Sequence, residues 1–470
     1  MPTALTRAEA RAPGSTGKSV RFGILAIFLA AGAVFSPIAA PAQGVSIVRD
    51  AEIEALLQDY ARPIFKAASI KTTAIEILLV PDPRFNAFVA DSKSIFVNTG
   101  TILTSETPNE LIGVLAHETA HLAHQDLPQL RQRIADTKIA AIIASVVGMG
   151  AAVAAGAATK NGELVNAGAG LAQGIDSIAT RSLLSYSRGV ESAADRSAIT
   201  YLDATGQSPI GMMRAFQRMA RESLISARNA DPYLQNHPLP TDRIAAIEDL
   251  VRKSKFVDRK DPPDLQLRHD LARAKLAGFT EGADRVARRY PASDASLPAR
   301  YARAIATYRR GAVDDAVRLV NELIAAEPNN PFFYELKGQA LLEHGRAHES
   351  LEPYRKAVDL LPGSGLLRIA LGQALVNAGD KALVDEAIKQ LTVGLQSAPN
   401  QGIGYRMLAR AYDMKGNVGM AQLATAQGLF ADGAIGDAKV QAKRAQGKLA
   451  EGSPAWLRAD DILSYKPVKN

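Results

Sequence analysis

The sequence predicts a mostly helical α+β chain in two parts: a domain with a small sheet built around one helix, then an all-α array of repeated helix pairs. Three observations predict it. Leu115–Leu122 carry His-Glu-x-x-His inside an apolar pattern of helical period, short runs rich in β-branched and aromatic residues precede that stretch, and glycine and proline recur at a fixed interval through the second half. A chain of 470 residues, 47% apolar and 22% charged, has room for both parts and ample core.

In the first of these, His117 and His121 are four residues apart, so both imidazoles lie on one helix face and can reach one ion at about 2.0–2.1 Å. Glu118 is rotated about 100° around the helix from His117. It is a poor ligand but a suitable general base for an attacking water. Thr107 at the N-cap, Pro108 at the first helical position and Glu110 three residues past the cap read as a capping box that sets the register.

A third protein ligand is needed, and helical residues Ser182–Tyr201 offer one. Glu191 and Asp195 are also four apart. Glu191 completes a His₂Glu set that leaves a position open, and Asp195 is placed to accept a hydrogen bond from the outer nitrogen of a ligand histidine. The chain contains no cysteine, so a metal here rests on nitrogen and oxygen alone. The pattern HExxHxxGxxH of a different zinc-protease class fails twice, with His124 at its glycine and Leu127 at its last histidine. His124 sits a turn beyond His121, about 4.5 Å further along the axis, and reads as a packing residue or a partner behind the ligands.

Ahead of this site, residues 1–42 read as a signal peptide: Lys18 and Arg21, the apolar run Phe22–Phe35, then Ala40-Pro41-Ala42 for cleavage. An uncleaved membrane anchor is the competing reading, and either way the remainder is exported. Val45–Ile70 has helical periodicity. Ile75–Val80, Asn86–Ala90 and Ser94–Asn98 read as strands beside the zinc helix. An exposed edge strand can bind substrate backbone, which makes Asn86, Ala87 and Phe88 candidates for substrate binding; mere support of the helix is the other reading.

After the zinc helix, Ile139–Ala158 is a 20-residue run without a charge, and Leu164–Ile175 resembles it in its small residues. Three readings of the 139–175 insert stand: a flap near the active site touching a client or a membrane, a buried hairpin, or a transmembrane span weakened by its alanine and glycine. Further on, His237 precedes a helix that carries Arg243. His237 can bind the oxyanion, swing onto the open metal position and silence the site, or stand there without a role. Arg243 can hold a carboxylate of the site.

Asp261-Pro262-Pro263-Asp264 reads as the linker between a protease domain, 43–258, and a repeat domain, 265–450, with 451–470 as a C-terminal tail. Gly311, Gly345, Gly379 and Gly416 follow at spacings of 34, 34 and 37, while Pro328, Pro362 and Pro399 follow at 34 and 37. That period, with a glycine in mid-repeat and a closing proline, is the tetratricopeptide signature. Pro291 marks a degenerate unit starting near Leu265, and the three extra residues fall at Lys381–Val384. His344 and His348 straddle a turn and read as surface residues. Such an array offers a concave groove to segments of another protein.

Taken together, His117-Glu118-x-x-His121, Ser187-Arg188-x-x-Glu191-x-x-Ala194-Asp195 and His237-Pro238 followed by Arg243 resemble the metallopeptidase family that includes the CAAX prenyl endopeptidases, gluzincin-type HExxH enzymes. Closer still is its exported bacterial, BepA-type branch, in which a periplasmic protease domain precedes tetratricopeptide repeats. The resemblance spans roughly residues 45–450. It implies one Zn²⁺ per chain on His117, His121 and Glu191, Glu118 as general base, Asp195 behind the ligands, and a role in outer-membrane protein quality control. The clients implied are misfolded or stalled outer-membrane proteins, with the repeats recruiting them or the assembly machinery, and with peripheral membrane contact as a further expectation. The alanine and glycine content of Ile139–Ala172 departs from the family's pattern. The rival reading is a periplasmic repeat chaperone or scaffold whose zinc site is structural or self-inhibited. A net charge of +7, with basic residues scattered among acidic ones, gives no nucleic-acid footprint.

Overall fold

The computed structural model describes residues 38–39, 46–71, 75–126, 128–129, 132, 188–225 and 241–466. The signal sequence apart from residues 38–39, the 139–175 insert and the His237 loop lie outside the described residues.

The first helix, α1 (Ala51–Ala67), starts six residues later than its periodicity suggests. Ser46–Ile47 (β2) instead pairs with Ile38–Ala39 (β1) as a two-residue ribbon, and Val48 bridges to Leu79. Asp50 then caps the helix, its carboxylate accepting from the Ile53 N–H at 2.9 Å. The apolar stripe of Ile53, Leu56, Leu57, Tyr60 and Ile64 that gives this stretch its periodicity is buried.

Three strands follow, β3 (Glu76–Val80), β4 (Ala87–Val89) and β5 (Ser94–Asn98), in the order β3-β5-β4. The first pair is parallel and the second antiparallel. Ile77, Leu79, Ala87, Ile95 and Val97 face the main core, while Phe88 stacks on Phe96 on the other side with ring centroids 5.1 Å apart. Strand β4 lies at the edge and runs beside α3 (Pro108–His124), the helix that carries the motif.

Thr107 is the N-cap of α3, as its position suggests, but its side chain makes no capping hydrogen bond. Glu110 instead accepts from the Glu106 N–H at 3.0 Å and pairs with Arg218, so the expected capping box does not form. The orphan N–H of Asn109 is taken by Asp261 at 3.0 Å, a cap supplied from 152 residues away. The short helix α2 (Thr99–Thr104) precedes α3. Behind α3 stand α4 (residues 188–204), α5 (Ile210–Ile225) and α6 (Thr241–Lys253). Helices α3 and α5 meet at Gly113, where a Cβ would come within 2.6 Å of the Met212 Cα. The Asn109 amide pins the same approach, donating to the Ser208 carbonyl at 2.6 Å and accepting from the Gly211 N–H at 2.7 Å.

The expected linker is tied down at both ends. Besides Asp261 on α3, Pro262 and Pro263 open α7 (Pro263–Thr280), which serves both halves: Ala272 and Leu276 join the N-terminal core, Leu271 and Ala274 the first repeat core. His269 donates from Nε2 to the Ser105 carbonyl at 2.9 Å, and its Nδ1 faces the Tyr60 hydroxyl at 3.2 Å. Lys275, fully buried, places its ammonium 2.8 Å from Asp50, 3.4 Å from Glu52 and 3.3 Å from Glu335, with the Tyr301 hydroxyl donating to Glu52 at 2.9 Å. Burial disfavours the charge on Lys275, but these carboxylates hold its pKa well above the usual lysine range. Burial also pushes Glu335 up to about 7.

Beyond α7 the helix pairs stack as the period predicts. The shortened α8 (Ala283–Arg289) completes the degenerate first unit. Then come α9 and α10 (Leu297–Arg309, Val313–Ala326), α11 and α12 (Pro331–Glu343, Ala347–Leu360), α13 and α14 (Gly365–Ala378, Val384–Ser397), and α15 and α16 (Gly402–Met414, Val418–Ala431). Gly311, Gly345, Gly379 and Gly416 sit between partner helices at φ from 73° to 82°, a region that favours glycine. The extra residues form a 3₁₀ turn, Lys381–Leu383. Residues 451–470, expected as a tail, contain a further helix, α18 (Pro454–Ser464), which buries Ala459 and Ile462 against α16 and α17 (Ile435–Gln446). His344 and His348 are exposed, as the sequence suggests. No helix among the described residues is long and apolar enough to cross a membrane.

Candidate metal centre

Helix α3 turns both motif histidines toward α4. The two Nε2 atoms are 3.0 Å apart; Glu191 brings one carboxylate oxygen to 3.3 Å from His117 Nε2 and the other to 3.6 Å from His121 Nε2. Donor atoms arranged as a tetrahedron around an ion at about 2.0–2.2 Å stand about 3.4 Å apart. The three measured separations bracket that value, and all three residues are buried, so the set fits a small divalent cation. The outer ring nitrogens face acids: His117 Nδ1 lies 3.0 Å from Asp195, His121 Nδ1 2.8 Å from Asp126.

Arg243 spans the two α4 carboxylates, with Nη1 2.9 Å from Glu191, and Nε and Nη2 2.5 and 2.9 Å from Asp195. Phe216 of α5 backs this pair. Its ring meets His117 edge-on at 5.5 Å, and the guanidinium lies 5.4 Å from its centroid. Burial works against a protonated His117, yet Asp195 and Glu191 raise its pKa to about 9. Burial also drives Glu118 up to about 8, with Glu191 adding to it and His117 and Arg243 opposing. Burial likewise opposes the charge on Asp195, but the Arg243 and His117 hydrogen bonds hold its carboxyl below the usual range. The centre is thus rich in negative charge around converging nitrogens, an arrangement that attracts a cation.

Of the residues singled out in the sequence, His117, Glu118, His121, Glu191, Asp195 and Arg243 are brought together. His237 lies outside the described residues. His124 stands apart from the converging donors and hydrogen-bonds Ser197 Oγ at 3.0 Å. On the edge strand, main-chain groups of two of the three candidates are engaged within the fold. The Asn86 N–H donates to Thr101 Oγ1 at 2.8 Å, and its carbonyl accepts from that hydroxyl and from the Asn98 N–H. Antiparallel alternation then turns the main chain of Phe88 toward Phe96 as well, and the outward-facing groups belong to Ala87 and Val89. Sequence reasoning missed Asp126 and Phe216. A carboxylate five residues past His121 was a visible signal for the first, and nothing in the local sequence marks the second.

Comparison with known proteins agrees with this arrangement. Residues 48–251 match peptidase family M48. The chain is 25% identical over 379 residues to the beta-barrel assembly-enhancing protease of Yersinia pestis, covering 78% of this chain and 74% of that one. It is 24% identical over 382 residues to the protein of the same name from Escherichia coli (strain K12), covering 78% and 73%. Among solved structures, a MamA structure aligns at 24% identity and a TM-score of 0.30, covering 35% of this chain and 92% of its own. With the His-Glu-x-x-His helix and the glutamate facing it both inside the stretch that matches family M48, this chain is a metalloprotease, its matching domain followed by tetratricopeptide-type repeats.

Proposed function

We propose that the chain is an exported, zinc-dependent endopeptidase of the periplasm that degrades or processes outer-membrane proteins during their quality control, its repeats recruiting the clients or their assembly machinery. The observation that carries this reading is the convergence of His117, His121 and Glu191 beside a buried Glu118. When bound, zinc supplies Lewis acidity to the scissile carbonyl and to the attacking water. Glu118, buried beside the converging donors, takes the water's proton and returns one to the leaving amine. Arg243 keeps Glu191 and Asp195 in place, and Asp195 fixes the His117 ring. The outward main chain of Ala87 and Val89 aligns an extended substrate as an added strand. Export is supported by the Lys18–Ala42 pattern, and the class of client by the names of the relatives.

The test compares wild type with Glu118→Gln on casein and on an unfolded outer-membrane barrel protein, with zinc measured in both enzymes. The expected result is a loss of about 10²- to 10⁴-fold in cleavage at unchanged zinc content. Equal absence of cleavage in both proteins, on both substrates, would overturn the enzyme reading in favour of a scaffold.

A further inference from the structure

We propose that Asp126 is a positioning residue for the metal centre, fixing the His121 ring from outside as Asp195 fixes His117. The proposal rests on the zinc reading above and deepens it.

The geometry starts with a backbone oddity. Helix α3 ends at Gln125 in the left-handed region, φ 55° and ψ 40°, where glycine is the usual occupant. Its N–H closes on the His121 and Leu122 carbonyls. Asp126 therefore returns to the face that carries His121, its Oδ2 at 2.8 Å from Nδ1. An imidazole that ligates through Nε2 must carry its proton on Nδ1, and a carboxylate there selects that tautomer, fixes the ring plane and makes Nε2 more basic. The same Oδ2 lies 3.7 Å from His124 Nδ1, and the far nitrogen of His124 meets Ser197 Oγ on α4 at 3.0 Å. A polar chain thus runs from His121 through Asp126 and His124 to the helix that delivers the third ligand.

Asp126 and Asp195 differ in one respect. Asp195 shares its charge with the Arg243 guanidinium, whereas among the described residues Asp126 pairs with imidazoles. Its charge is therefore less neutralised, and the His121 side of the centre depends more on a single acid.

The experiment titrates zinc into full-length wild type, Asp126→Asn and Asp126→Ala against a chelator of known affinity. It also records the visible spectrum of the cobalt-loaded forms and the melting of the metal-free forms. Asp126→Ala is expected to weaken zinc by about 10- to 100-fold, as loss of a partner behind a ligand histidine does. Asp126→Asn keeps an acceptor oxygen but not the charge, and should lose about 3- to 10-fold, half as much on a logarithmic scale. The cobalt bands should shift in both, with metal-free melting unchanged. Zinc affinities within twofold of wild type and an unaltered cobalt spectrum would overturn the proposal. Should Asp126→Ala fail to fold, the isosteric Asn variant alone decides. Failure of wild type and Glu118→Gln to take up one zinc per chain would instead sink the zinc reading on which this rests.

Discussion

Two buried clusters in this molecule have nearly the same ingredients. In the metal centre, Glu191 and Asp195 share one guanidinium, that of Arg243, with Glu118 buried nearby; at the junction, Asp50, Glu52 and Glu335 share one ammonium, that of Lys275. They differ in what occupies the middle. At the junction the Lys275 Nζ stands within 3.4 Å of all three acids, so the compensating charge is covalently part of the fold. In the metal centre Arg243 stays on the α4 side, and the middle is faced by two imidazole nitrogens and both Glu191 oxygens. The comparison teaches that buried acids alone do not mark a functional site. What marks one is lone-pair donors aimed at a common point that no side-chain cation fills.

The sharpest way to break this contrast is to remove the built-in cation. Lys275→Met should cost about 3–5 kcal/mol, read as a lower denaturant midpoint, because it leaves three acids buried without compensation. Neutralising Glu52 and Glu335 to Gln in the same chain should recover most of the loss. Stability equal to wild type in the single variant would refute the structural role of the cluster. Next in size is the external cation. Zinc at a thousand times its Kd should stabilise the fold by about 4 kcal/mol over the chelated form. The cost of Lys275→Met should be the same with and without zinc to about 0.5 kcal/mol, since the clusters share no residue; a larger coupling would mean they act as one.

The smallest expected effect concerns acidity at the junction. Burial first, then Arg273, drives the pKa of His269 down to about 4 despite its bond to the Ser105 carbonyl. Its folded pKa lies below the ordinary 6.5, so the unfolded chain takes up the proton first. The stabilisation is therefore complete above about pH 6.5 and lost as the pH falls toward 4, by about 3 kcal/mol in all. Chemical denaturation of His269→Gln across that range should show a shallower loss than wild type, and parallel curves would remove His269 from the account.

Much of this architecture was legible in the residues, for reasons that differ by region. The repeats announced themselves because a solenoid repeats its sequence with its structure, so Gly311 through Gly416 read as turns before any coordinate. The donors His117, His121, Glu191 and Asp195 were legible because helical spacing of four is a local rule. Partnerships between distant segments were not. The expected capping box at Thr107 failed because Glu110 is claimed by Arg218, and Asn109 is capped by Asp261 from far along the chain. The role of Asp126 hung on Gln125 adopting a conformation that its residue type does not favour. At the edge strand the type of element was readable, but which main-chain groups face outward depended on a hydrogen bond between Thr101 and Asn86.

Helix α7 carries a practical lesson for anyone dissecting the chain. The di-proline at 262–263 invites a cut, yet the helix it opens supplies Ala272 and Leu276 to the wall behind the catalytic helix and Lys275 to the acids at the start of α1. A fragment stopped at residue 258 would bare an apolar flank and strand two acids without their counter-ion. The catalytic half is self-sufficient only when it keeps the first helix of its neighbour, so the seam for a soluble fragment runs past Thr280.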